Sequence, residues 1–165
     1  MVSVNGYVNY GSAGICKVES ISPLDFQKNS KELYYTLIPV FQNNSKVYVP
    51  ADKKELVSKM REILSKEEID KLILDVKNQS LRWNPCYKAR IDQFHDILFR
   101  RDERELLMLI SCLYIRNKEA EKGLTPGDVR VMKLAEDIIK KEFAFSLNIS
   151  EEEVDNYIKN KLGIR

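Results

Sequence analysis

Hydrophobic and polar positions change rhythm near residue 50. Before it, short runs rich in Tyr, Val and Ile are separated by turn-forming clusters, and five of the eight tyrosines fall here. Aromatic and β-branched residues in short runs favour strands. The spacing predicts strands near 7–10, 15–21, 33–38 and 46–49, linked by "GSAG", "SPLDFQKNS" and "FQNNS". Gly11 and Gly14 permit positive φ in the first reversal. Four short strands so connected predict a small, strongly twisted sheet or barrel.

From residue 51 onward the apolar positions recur at the helical period and the helix punctuation becomes explicit. Ser65 followed by Glu68 predicts a capping box for a helix with Ile69, Leu72, Ile73 and Val76 on one face. Asn84 and Pro85 read as N-cap and first position of a helix whose inner side holds Ile91, Phe94, His95 and Leu98. Asp102, with Glu105, opens "LLMLISCLYIRNKEAEKG", which Gly123 is expected to end in a left-handed C′ position. Thr125 and Pro126 begin the next helix, with a buried stripe of Val131, Leu134, Ala135, Ile138 and Ile139. Ser150 and Glu153 box a last helix carrying Val154, Tyr157, Ile158 and Leu162. The pattern is therefore α+β: a Tyr/Val-rich β unit over 1–52, then about five helices over 53–165. The span "PADKKELVSKMREIL" fits neither rhythm and is read as the joint.

Composition adds bounds. With 44% hydrophobic and 32% charged residues over 165 positions, the chain suits a folded protein of one domain or two small ones. A net charge of +2 and a pI near 8.3 are too mild for gripping nucleic acid by bulk electrostatics, so any basic function must be local. Cys16, Cys86 and Cys112 are widely spaced and odd in number, which suggests neither a disulfide framework nor a zinc site and fits a reducing cytoplasm. No window approaches the roughly 20 apolar residues of a membrane span, and the start lacks a signal-peptide pattern.

Catalytic chemistry is hard to assemble. His95, the single histidine, sits on the predicted inner edge of a helix, where a structural role is the ordinary one. Cys16 and Cys112 lie in apolar runs, leaving Cys86 as the exposed thiol, and "GSAG" lacks the spacing and lysine of a phosphate loop. The expectation is a protein that is not an enzyme, with no cofactor, no metal and no small-molecule substrate. What stands out is "NQSLRWNPCYKAR", which places the single tryptophan, Trp83, among Arg82, Lys88 and Arg90 at a joint between helical runs. Covering an internal junction is one reading of Trp83, and a solvated face is the ordinary reading of the cations. An aromatic wedge flanked by cations is the other, because such a ring can unstack a base step while the cations hold phosphates.

The ordered set of segments resembles one family. "NGYVNYGSAGICKVESI", through Gly6, Val8, Tyr10 and Gly14, is similar to the opening of the bacterial CarD/CdnL transcription regulators. "ELYYTL" and "KVYVPADK" look like the family's next two strands. "RWNPCYKARIDQF" resembles its Trp-x-x-x-Tyr-Lys-Ala segment through Trp83, Tyr87, Lys88 and Ala89, and "GLTPGDVRVMKLAEDIIKKEFA" its closing helical motif; together these span about residues 4 to 147. The resemblance implies a Tudor-like N-terminal domain that docks on the RNA polymerase β subunit, here through Val47, Tyr48, Val49 and Pro50. It also implies a helical domain that touches promoter DNA without reading its sequence, here through Trp83, Arg82, Tyr87, Lys88, Arg90 and Arg130. The tryptophan would wedge at the upstream edge of the melted bubble and stabilise the open complex, in a bacterial, nucleoid-associated cytoplasmic protein. Four positions depart from the family pattern: Tyr48 stands where a basic residue is usual, Pro85 and Cys86 replace an often basic pair, and Val129 stands where a lysine can occur. The alternative is a protein-interaction module without DNA contact.

Overall fold

The computed structural model describes residues 2–25, 31–42 and 44–163, so the predicted turns "SPLDFQKNS" and "FQNNS" lie partly outside the described residues. The chain divides into two units, Met1–Ile63 and Leu64–Arg165.

The first unit is one antiparallel sheet of β1 (Tyr7–Tyr10), β2 (Gly14–Ser22), β3 (Tyr34–Pro39), β4 (Val47–Pro50) and β5 (Met60–Glu62), in the order β4-β3-β2-β1-β5. All four predicted strands are present. The β1–β2 reversal is a short 3₁₀ turn that ends at Gly14, whose φ of 67° and ψ of −141° lie where a Cβ is poorly tolerated. Every second residue of the strands meets on one face: Val8, Cys16, Val18, Leu37, Val49 and Met60 are buried together. A register shift between Val18 and Ser20 marks a bulge in β2, which bends and twists the sheet.

The unit ends at Ile63 rather than at residue 52. The ambiguous joint holds a single helical turn, α1 (Lys54–Val57), and β5, which pairs with β1 through Val8↔Glu62, Asn9↔Arg61 and Tyr10↔Met60. Leu56 and Val57 pack on the sheet's core while Met60 enters it. Burial of these side chains ties the segment to the β unit.

The second unit is all helical: α2 (Lys66–Val76), α3 (Tyr87–Arg100), α4 (Glu103–Glu119), α5 (Pro126–Leu147) and α6 (Glu151–Leu162). Its core joins Ile69, Ile73, Phe94, Leu106, Leu109, Leu113, Val131, Ile139, Phe143 and Val154. Both capping boxes form, Ser65 with Glu68 and Ser150 with Glu153. Asp102 and Thr125 accept from the backbone N–H groups of Glu105 and Asp128, each satisfying an otherwise orphaned donor at its helix start.

Four local expectations change. Asn84 does not cap α3: its side-chain oxygen takes the Cys86 N–H at 3.0 Å, and the helix starts at Tyr87 with Cys86 as N-cap. Gly123 is left-handed at φ 66°, but α4 has already ended at Glu119 with Ala120 as its extended C-cap. His95 is exposed rather than on the inner edge, because Phe94 and Ile97 take the buried face of α3. Leu134 is 49% exposed, since Val131, Ala135, Ile138 and Ile139 fill the stripe of α5 without it.

A polar contact joins α6 to α2. The Tyr157 hydroxyl donates to Asp70 Oδ1 at 2.5 Å, and Lys161 Nζ reaches Asp70 Oδ2 at 2.6 Å. Burial, and then the bond to the Asp70 carboxylate, push the Tyr157 phenol up to about 12. A folded value raised above the unfolded one gives stabilisation that is whole below the ordinary phenol range and is lost as pH rises through about 12. Spectrophotometric titration is therefore expected to show a late-ionising tyrosine that Tyr157→Phe removes. An unchanged alkaline limb in that variant would count against the contact.

Candidate functional site

Trp83 lies in the irregular stretch between α2 and α3, half-buried, with its apolar body against the edge of the helical core. The expectation that it stands outside the core is corrected to that extent. Two guanidinium groups lie over its ring, Arg90 at 4.1 Å from the centroid and Arg116 at 5.1 Å. Both are within cation–π range, where the ring's negative face attracts a cation.

The two arginines differ in surroundings. Arg90 is 4% exposed, and its Nε and Nη2 donate to the two carboxylate oxygens of Asp128 at 3.0 Å each. Its Nη1 donates to the carbonyl of Asn84 at 2.9 Å. Arg90 was expected among the DNA-contacting cations, and its burial removes it from that set: its charge is already matched, and its fork is filled. Arg116, in the last turn of α4, is exposed, and its side chain makes no hydrogen bond or ion pair to a described residue.

Asp128 is held from its own helix as well. Burial by itself would raise its carboxyl, but hydrogen bonds from Arg90 and Thr125, with the Arg90 charge, outweigh this and hold it below the ordinary carboxylate value. The Thr125 hydroxyl donates to Asp128 Oδ2 at 2.6 Å and accepts from the Asp128 N–H at 3.2 Å. Burial, and next the Asp128 charge, push the Cys112 thiol up despite Arg90, and burial pushes Cys16 up to about 11. Both are inert core thiols at neutral pH. Cys86 is exposed and free.

Tyr87 opens α3 and is 51% exposed, with the Arg90 guanidinium 5.4 Å from its ring centroid. Its hydroxyl rests over Gly127 in the first turn of α5, where a Cβ would collide with it. Gly127→Ala is expected to displace the Tyr87 ring while leaving α5 helical, a change that aromatic proton shifts would register. Arg130 follows on α5, about one turn after Gly127. Arg82, Lys88 and Arg130 are exposed and, like Arg116, make no ion pair or side-chain hydrogen bond to a described residue. Trp83 and Tyr87 share the Arg90 guanidinium and Arg116 lies over the Trp83 ring, so α3 and α4 both contribute cations to one aromatic site. Arg116 was not legible as part of it, because its one signal was a basic residue near a helix C-terminus, which ordinarily answers the helix dipole.

The other predicted site lies in the β unit. β4 is an edge strand, paired with β3 through Thr36↔Tyr48 and Tyr35↔Val49. The four residues do not present alike. Val49 is 1% exposed and Val47 packs on the same core, whereas Tyr48 is 40% exposed on the opposite face. A partner can meet Tyr48 and the strand's edge, but not the valine side chains. Lys46, just before the strand, is held by Glu19 at 2.7 Å.

Among the described residues no group of His, Cys, Asp and Glu is placed to hold a metal ion, and no helix is long and apolar enough to cross a membrane. A curled antiparallel sheet with an edge strand and a core of alternating residues gives the β unit a Tudor-like form. Residues 3–63, the N-terminal unit, match the family model of the CarD-like/TRCF RID domain. The match covers the unit's five strands, β5 included, and supports the same boundary as the packing. No curated protein matches the chain.

Proposed function

We propose that the chain is a bacterial accessory transcription regulator that binds the RNA polymerase β subunit through β4 and stabilises the promoter open complex with Trp83. The observation that carries this reading is the match of the whole β unit to the RID family. Support for DNA contact comes from a partly exposed aromatic ring with Arg116, a cation not spent on an acid, over it. A sequence-nonspecific wedge needs little more, since a stacked aromatic contributes about 1–3 kcal/mol per base and the cations hold flanking phosphates. Weak affinity for free DNA is no obstacle once the polymerase tethers the helical unit, because a linked site sees an effective concentration of about millimolar. The reading needs no catalytic chemistry and places the protein in the cytoplasm, with the nucleoid.

The test is direct. Added to a bacterial polymerase holoenzyme on a promoter, the chain is expected to lengthen the open-complex lifetime several-fold; no change would overturn the proposal. Tyr48→Asp places a charge on the exposed face of β4 and is expected to weaken co-purification with the β subunit at least about tenfold, the equivalent of 1.4 kcal/mol, with helical content unchanged. With Arg82, Lys88, Arg116 and Arg130 as the available cations, about two to four phosphates are neutralised. The slope of log affinity against log salt should then be about −2 to −4, and a slope near −8 would require a larger basic surface.

A second reading has one observation in its favour. Trp83 packs on the helical core and is covered by two guanidinium groups, as a junction residue would be. In that case the chain is a protein-interaction module, and Trp83→Ala changes stability alone.

A further inference from the structure

Burying a guanidinium and a carboxylate together is costly, with an effective penalty of several kcal/mol per ion, and apolar residues of similar volume often do as well or better for stability. Arg90 and Asp128 are nonetheless both almost wholly buried in the helical unit, with side-chain exposures of 5% and 1%. What the pair does supply is direction. Asp128 fills the Nε–Nη2 edge of the guanidinium and so sets its plane, while Thr125 orients Asp128. The plane so fixed lies against the Trp83 ring, and the remaining Nη1 holds the carbonyl of Asn84, the next residue in the chain.

The segment around Trp83 has no helix or strand ladder to hold it. Its backbone is tied at Asn84 by Arg90 and by the turn from Asn84 Oδ1 to the Cys86 N–H. One buried side chain therefore holds the Trp83 ring by its face and ties the backbone one residue further on. A lysine could not do this, since it lacks the planar fork that permits bidentate pairing and stacking together.

We propose that Arg90, held by Asp128, is the positioning residue for Trp83, presetting the ring for insertion at the edge of the melted DNA. This rests on the wedge reading of Trp83. A preset ring gives up less conformational freedom on binding, and a site held loosely loses most of its effect. Arg90 thus acts on DNA only through Trp83, whereas the exposed Arg116 is available to a phosphate.

The test separates holding from stability. In the full-length chain, Arg90→Met with Asp128→Leu replaces the pair by apolar side chains of similar size, and Arg90→Lys keeps a cation opposite Asp128 should the double variant not fold. Val154→Ala, a core change on α6, serves as a control for destabilisation alone. Trp83 is the single tryptophan, so its fluorescence reports the ring without ambiguity. Both Arg90 variants are expected to bind polymerase like the parent, to show about twofold greater acrylamide quenching, and to lose about fivefold in open-complex lifetime, the factor that roughly 1 kcal/mol represents. Val154→Ala should lower the melting temperature and change neither readout. Parental quenching and lifetime in the folded Arg90 variants would overturn the proposal, as would freed fluorescence with an unaltered lifetime where Trp83→Ala shortens it. If Trp83→Ala itself leaves the lifetime untouched, the wedge reading fails, and positioning for DNA falls with it; the quenching arm would still report whether Arg90 holds the ring.

Discussion

Trp83→Ala is expected to remove most of the chain's effect on open-complex lifetime while leaving polymerase binding intact. The ring's loss forfeits about 1–3 kcal/mol of stacking, equivalent to roughly five- to 150-fold in the open–closed balance. The proposed polymerase contact lies in the other unit, so binding should persist. The substitution will also cost stability, because Trp83 is half-buried and two guanidinium groups lie over it. A fully buried tryptophan would cost about 3–5 kcal/mol, so about 2 kcal/mol is expected here. For a unit of this size each kcal/mol lowers the melting temperature by about 4–8 °C, so lifetimes should be compared at 25 °C or below. An unaltered lifetime in a folded, polymerase-bound variant would reassign Trp83 to the junction.

Asp128→Ala should be the most damaging single change to folding in this region. It strands Arg90 as a buried charge without its partner, and breaking such a pair costs about 3–5 kcal/mol, unlike replacing both members. The pH dependence has a definite sign. Arg90 and Thr125 hold the Asp128 carboxyl below the ordinary carboxylate value despite its burial, so the stabilisation is whole above the unfolded value and is lost as pH falls through the folded one. Asp70 and Glu153 are also depressed, in spite of desolvation for the former and through bonds to Ser150 for the latter, so the parent alone cannot isolate Asp128. The parent-minus-variant difference in urea midpoint should be constant from neutral pH to the ordinary Asp range and shrink below it. A free-energy difference under about 1 kcal/mol at neutral pH, from the midpoints and their slopes, would mean that Arg90 finds water or another acceptor readily.

The helix starts at Ser65, Asp102, Thr125 and Ser150 were legible because a cap is a contact over three residues and needs no tertiary structure. The first four strands were legible for a related reason: alternation and glycine turns act within a few positions. β5 was not, since the three residues Met60–Glu62 carry no strand signal of their own and are extended only because β1 offers an edge to pair with. The shift of the start of α3 to Tyr87 has a local cause that competed with another local cause, the Asn84 amide preferring the Cys86 N–H to the cap expected of Asn-Pro.

The region around Trp83 divides along the same line. Trp83, Arg82 and Lys88 could be grouped from sequence because they are neighbours in the chain, and Tyr87 and Arg130 because the resemblance supplied them. Only packing decided that Arg90 turns inward to Asp128, 38 positions away, and that Arg116 of α4 lies over the same ring. A charge's role depends on which acid, ring or solvent stands opposite it. For residues this far apart, that is set when the helices bury their apolar faces, so the chain's own order determined the elements and their caps, while the fold alone separated the arginine that holds Trp83 from those left to solvent.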